Sequence, residues 1–168
     1  PLGKTVDDIL NIGTNPLLLG SVSLVTFAIA ELVGQKKVAV TAGTMLEALF
    51  LTETLTYGLK FATQRSRPDG SDNLSFPSGH ASGAFALASV ATVLYGPWVG
   101  LPAYALASLT GLSRIDSNTH FASDVAAGAV LGTLVGLGMA RFHKREFSKW
   151  FVVPTAADNA GVSFVYSF

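Results

Sequence analysis

The sequence contains no cysteine, which excludes both a disulfide framework and a thiolate metal site. It is also poor in charge. Only 13% of its 168 residues are Asp, Glu, Lys or Arg, and 11 basic side chains balance 11 acidic ones. A chain of zero formal net charge exerts no global field on a polyanion, so nothing points to nucleic acid as a partner. Affinity for a smaller anion has to come from a local cluster. No initiator Met or signal peptide precedes Pro1, so targeting is not read from the N-terminus. Internal repeats and low-complexity tracts are missing as well.

What the chain has in quantity is apolar surface. Hydrophobic residues make up 49% and mean hydropathy is +0.46, too apolar for an ordinary water-soluble domain. Many of the 17 glycines fall inside the apolar stretches. Soluble helices avoid interior glycine, whereas membrane helices use small residues for close backbone approach. The apolar stretches are 16–34, 38–62, 79–96, 98–112 and 121–140. No charge occurs from Ala81 to Leu112 or from Val125 to Ala140. Glu47, Glu53 and Lys60 interrupt the second stretch. Runs of roughly 15 to 25 residues approach the length needed to cross hydrocarbon. The expected fold is all-α, an antiparallel bundle of five to six helices that spans a membrane. Residues 1–168 read as one domain. Gly161–Phe168 alternates small or polar residues with apolar ones, a strand pattern that needs a partner strand. A loosely ordered tail over 150–168 is the competing reading.

Three polar segments interrupt this background, and each has a plain structural reading beside a chemical one. In Lys60-Phe-Ala-Thr-Gln-Arg-Ser-Arg67-Pro68, the seven-residue spacing puts Lys60 and Arg67 close to one helix face. Pro68 disfavours helix at Arg67, which places that residue just past a helix end. Two such cations bind an anion or snorkel at a membrane interface. Arg65, between them, reads as solvated surface. In Pro77-Ser78-Gly79-His80, a helix start offers free N–H groups and a dipole to an anion, and Gly79 permits close approach. Alternatively Ser78 is only an N-cap. In Ser113-Arg114-Ile-Asp-Ser-Asn-Thr-His120-Phe-Ala-Ser-Asp124, the four-residue spacing of His120 and Asp124 places them on one face. A carboxylate there fixes the imidazole tautomer and leaves a nucleophilic nitrogen, or the two form a structural pair. His143, among Arg141, Lys144 and Arg145, reads as a solvated basic flank.

In a bundle whose helices alternate in direction, all three segments fall at one end. Lys60, Arg67, Arg114, His80, His120 and Asp124 then converge. Three cations suit a phosphate dianion and its transition state. One carboxylate and two histidines already engaged otherwise do not make a metal site, so no metal or other cofactor is expected.

These segments resemble the type-2 phosphatidic acid phosphatase superfamily, which also contains bacterial acid phosphatases and vanadium haloperoxidases. Its motifs K-x-x-x-x-x-x-R-P, P-S-G-H and S-R-x-x-x-x-x-H-x-x-x-D all occur in order and without mismatch between Lys60 and Asp124. The resemblance implies that Lys60, Arg67, Ser78, Gly79 and Arg114 hold phosphoryl oxygens. It implies that His120 attacks phosphorus, that Asp124 orients it, and that His80 protonates the leaving alkoxide and then activates water. The implied activity is metal-independent hydrolysis of phosphomonoesters, with lipid phosphates as the leading substrates. The implied partner is the lipid bilayer itself. The alternatives are a soluble periplasmic acid phosphatase acting on small phosphomonoesters and a vanadate-dependent haloperoxidase. The short chain disfavours the last. Residues 1–40 and 142–168 lie outside the motifs. The basic residues Lys36, Lys37, Arg141, Lys144, Arg145 and Lys149 gather at the end opposite the motifs. The positive-inside bias therefore predicts an active site facing the periplasm or cell exterior.

Overall fold

A computed structural model describes residues 3–148, 151–155 and 161–165. Among the described residues six helices follow one another: α1 (Lys4–Gly13), α2 (Pro16–Leu32), α3 (Lys36–Thr63), α4 (Gly79–Tyr95), α5 (Pro97–Asp116) and α6 (Ala122–Ser148). Two short strands, β1 (Phe151–Thr155) and β2 (Gly161–Val165), pair antiparallel with Phe151 opposite Val165. The alternating C-terminal segment therefore supplies β2. Its last residues, 166–168, and the topology-bearing Lys149 lie outside the described residues.

Breaker chemistry sets the helix boundaries. The side chain of Asn15 accepts from the backbone N–H groups of Leu17 and Leu18, and Pro16 occupies the first helical position of α2. Gln64 adopts a left-handed conformation (φ 46°) and ends α3 four residues before Pro68. Gly96 (φ 87°) turns the chain between α4 and α5.

The α4 helix is the centre of the bundle and packs on α6, α5 and α3. Its interior is Ala and Ser, with Ala81, Ser82, Ala86, Ala88, Ser89 and Val90 all buried. On α6, Gly128, Gly132 and Gly136 form a stripe of period four against α4. A Cβ added at Gly128 would lie 2.6 Å from the Ser78 carbonyl oxygen. At Gly132 it would lie 2.0 Å from that of Ser82, and at Gly136 2.3 Å from that of Ala86. Only glycine lets the two backbones approach this closely. The contact brings the first turn of α6 onto the start of α4, where the Ser78 N–H donates to the Asp124 carbonyl at 3.0 Å.

Large apolar side chains point outward instead of inward. Leu32 is 86% exposed, Trp98 87% and Phe142 79%, and Leu17, Ile29, Phe50, Leu101, Leu106, Val130 and Leu134 are also exposed. A small-residue core under an apolar coat is the arrangement of a protein solvated by lipid. The chain is a membrane protein. Among the described residues, α3 and the 122–144 part of α6 are long and apolar enough to cross a membrane. The α1–α2 pair, bent by 46°, makes a third candidate. That is fewer spans than the five apolar stretches predict. The difference lies in α4 and α5. The 17-residue α4 is wrapped by neighbours, so small residues suffice along it, and Pro, Gly, Ser and Thr dilute the hydropathy of α5.

The two ends of the bundle differ in chemistry. At one end, Lys37 lies over the Tyr95 ring at 5.7 Å, the Thr41 hydroxyl meets the Tyr95 hydroxyl at 2.7 Å, and His143 Nε2 meets Glu47 Oε2 at 2.7 Å. His143 is thus paired with an acid on α3 instead of being a free solvated flank. The other end carries all three polar segments.

Candidate active site

At that end the last turn of α3, the 64–78 loop, the first turn of α4, the last turn of α5 and the link into α6 surround one cavity. Its volume is about 690 Å³, and Lys60, Arg67, Gly79, His80, Arg114 and His120 all line it. Two members of the predicted set sit behind this lining. Ser78 and Asp124 are fully buried and support the wall.

Secondary structure places each group. Lys60 rides the last turn of α3, is buried, and donates from Nζ to the Leu74 carbonyl. Arg67 leaves the helix behind and is held by the loop. Its Nε donates to Asp72 Oδ1 at 2.7 Å, and its backbone N–H to the Asp72 carbonyl at 3.0 Å. Asp72 also accepts from the Leu74 N–H at 2.8 Å. The bonds from Arg67 and from that backbone N–H hold its carboxyl below the usual range. Ser78 occupies the N-cap position of α4 but makes no capping hydrogen bond, and its buried Oγ has no partner. The capping reading of Ser78 therefore fails, and its hydroxyl is unspent.

The imidazole of His120 is only 4% exposed. Its Nε2 lies 3.2 Å from Arg67 Nη1. A guanidinium can only donate, so Nε2 accepts and carries the lone pair, while the ring proton belongs on Nδ1. That Nδ1 faces Asp124 Oδ2 at 3.8 Å, longer than a hydrogen bond. Burial, then the charges of Arg67 and Lys60, push the His120 pKa down to about 4, so the ring is neutral near pH 7.

Asp124 is anchored more heavily than its spacing from His120 suggests. Oδ1 accepts from Arg65 Nη1 at 2.6 Å, and Oδ2 accepts from Ser75 Oγ at 2.5 Å and the Phe121 N–H at 3.0 Å. Arg65 also donates to Ser123 Oγ at 2.8 Å and stacks over the Phe121 ring at 4.3 Å. The solvated-surface reading of Arg65 is therefore corrected: its charge compensates a fully buried carboxylate. Without that compensation, burial of Asp124 would be costly.

Sequence reasoning missed a contribution from α1. Arg114 is buried, and its Nη1 donates to Asn11 Oδ1 at 2.7 Å. The Asn11 carbonyl oxygen lies 3.2 Å from His80 Nε2. Asn11 lies well outside the motifs, and no spacing signal links it to them. Glu53 also lines the cavity. In the sequence it reads only as an interruption of an apolar run.

Comparison with known proteins places this arrangement. A sequence model described as the PAP2 superfamily matches residues 41–148. A lipid A 1-phosphatase of Porphyromonas gingivalis is 49% identical over 80 residues. These are 46% of this chain but only 18% of that protein's length. A lipid A 4'-phosphatase of Helicobacter pylori is 30% identical over 91% of this chain and 80% of that protein. The crystal structure of a transmembrane PAP2-type phosphatidylglycerolphosphate phosphatase from Bacillus subtilis superposes with a TM-score of 0.55. The alignment covers 84% of this chain and 86% of the other at 23% identity, a likeness of fold.

Proposed function

The chain belongs to the PAP2 superfamily, and from that premise we propose that it is a membrane phosphatase that hydrolyses lipid phosphomonoesters through a phosphohistidine on His120. One observation carries the reading: three separate polar segments deliver Lys60, Arg67, His80, Arg114 and His120 to a single cavity. The lipid phosphatases among its relatives support a lipid phosphate as substrate, as does an apolar outer surface that keeps the protein in a bilayer.

The geometry suits a two-step displacement. Lys60, Arg67 and Arg114 surround the dianion, while the Gly79 backbone and the free Ser78 hydroxyl approach it from the start of α4. His120 Nε2 attacks phosphorus as the bond to the leaving alkoxide breaks, and His80 gives that alkoxide a proton. An incoming dianion favours the protonated His80 this step needs. Asp124, through the Nδ1 proton, stabilises the charge that develops on His120. Water then attacks the phosphoenzyme, with His80 taking its proton. The phosphorus–nitrogen bond breaks, and inorganic phosphate leaves. The positive field comes from side chains and backbone N–H groups, so the reaction is written without a metal.

The test is phosphate release from phosphatidic acid, polyprenyl phosphate, acylated sugar phosphate and a soluble aryl phosphate, by purified protein in strong chelator. Turnover of a lipid phosphate that persists in chelator and disappears in His120→Ala is expected. Hydrolysis of the soluble ester alone would favour the small-substrate reading, and activity restored only by a divalent metal would overturn the mechanism. Bromide oxidation by added hydrogen peroxide that appears only with vanadate would favour the haloperoxidase reading.

A further inference from the structure

The cavity holds one acidic side chain that the phosphohistidine chemistry does not use. Among the described residues that line it, Glu53 is the only acid. A Cβ added at Gly79 would lie 3.4 Å from Glu53 Oε2, and one at Gly83 3.5 Å from Oε1. The carboxyl thus lies against the first turns of α4, beside the backbone that approaches the phosphate. Its Oε1 is shut off from solvent and has no hydrogen-bond partner. A carboxylate next to a phosphate dianion is repelled by it, and a buried acceptor left unpaired is costly. Oε2, on the Gly79 side, is the oxygen a bound molecule can reach, and an acid is tolerated in an anion site when that molecule brings it a donor.

Position along α3 says which part of the molecule that is. Lys60 marks the phosphate end of the cavity. Glu53 lies two turns before it on the same face, about 10 Å along the axis. Leu46, Leu49 and Phe50 line the cavity beyond. The order along the wall is therefore cation, acceptor, hydrocarbon. We propose that Glu53 accepts a hydrogen bond from a hydroxyl or amide N–H next to the phosphate ester. The substrate is then a lipid whose phosphate sits on a donor-bearing group such as an acylated sugar. A polyprenyl phosphate puts bare hydrocarbon at that point. Phosphatidic acid puts ester oxygens there, which only accept. Both leave Glu53 unpaired. The assignment rests on the phosphatase reading above and narrows it.

The test compares kcat/KM for an N-acylated glucosamine 1-phosphate with that for phosphatidic acid, each in the same detergent and on one preparation. The ratio cancels differences in folded fraction. A soluble aryl phosphate serves as the control for the chemistry. The wild-type chain is expected to favour the amino-sugar lipid by about tenfold or more, as a site built to pair a donor does. Glu53→Leu should bring the ratio close to one. Glu53→Gln, which keeps an acceptor oxygen, should retain part of the preference. A wild-type ratio near or below one overturns the proposal. So does a ratio unchanged in Glu53→Leu while both rates fall together, which would make Glu53 a positioning residue for the chemistry. A wild-type chain that leaves all three esters intact, the aryl phosphate included, overturns the phosphatase reading and this assignment with it.

Discussion

At the residue scale, attack by His120 depends on which of its ring nitrogens carries the proton. The Arg67 donor at Nε2 answers that question, and Asp124 lies on the Nδ1 side. Asp124→Asn keeps the size of the side chain but removes the charge that Arg65 and the developing imidazolium both need. A loss in kcat on the order of 10³-fold is expected, with the helical spectrum intact. A change within a few fold would make Asp124 merely structural. The pH profile tests the ring itself. Because His120 titrates near 4 in the folded protein, the acid limb of kcat/KM should fall below about pH 5 once substrate ionisation is corrected for. Linkage has the same direction. The folded pKa lies below the ordinary value of 6.5, so the unfolded chain binds the proton better. This contribution to stability is complete above 6.5 and is lost as pH falls toward 4. Melting in detergent at pH 4.5 and pH 7 should give the lower Tm at pH 4.5, with a smaller difference in His120→Gln. Motif spacing made it legible that the eight predicted site residues meet at one end of the bundle. It could not reveal Arg65 as the charge partner of Asp124 or Asn11 as the partner of Arg114 and His80. Those contacts join positions 59, 103 and 69 residues apart, with nothing local to mark them.

At the element scale, the site depends on how closely α6 lies against α4. The glycine stripe is what lets the Asp124 turn reach Ser78. Gly132→Leu would drive a side chain into the Ser82 carbonyl, and backbone cannot move aside as a flexible side chain can. A loss of about 3 kcal/mol is expected, the upper end of overpacking costs. The same residue on the outward face, as in Gly138→Leu, has open space around it and should cost little. Thermal melting of both variants in one detergent separates the two outcomes, and equal losses would contradict the packing account. Helix positions were readable from apolar runs and their Pro and Gly punctuation. The separation of α1 from α2 was not, because residues 1–15 are mixed in character and carry no long apolar run. Nor was the number of spans, since burial of α4 among its neighbours removes the need for bulky apolar residues along it.

At the scale of the whole molecule, the candidate catalytic groups and the basic flanks occupy opposite ends of the bundle. Lys36, Lys37, Arg141 and Lys144 mark the end away from the site. On the positive-inside bias we propose that this end faces the cytoplasm and the cavity lies at the outer headgroup level. The native chain lacks cysteine, so single cysteines report sidedness cleanly. An impermeant thiol reagent on intact spheroplasts should label Ser71→Cys and spare Ser148→Cys, and the reverse pattern would invert the topology. Covalent catalysis by His120 is tested by trapping the phosphoenzyme. A substrate carrying radiolabelled phosphorus is mixed with enzyme, quenched within one turnover in alkali, where phosphohistidine survives, and digested. Label is expected on the peptide holding His120, none in His120→Ala, and a longer-lived label in His80→Ala with a good leaving group, because attack and hydrolysis are separate steps. Turnover by His120→Ala near the wild-type rate, or label on any other residue, would contradict covalent catalysis by His120.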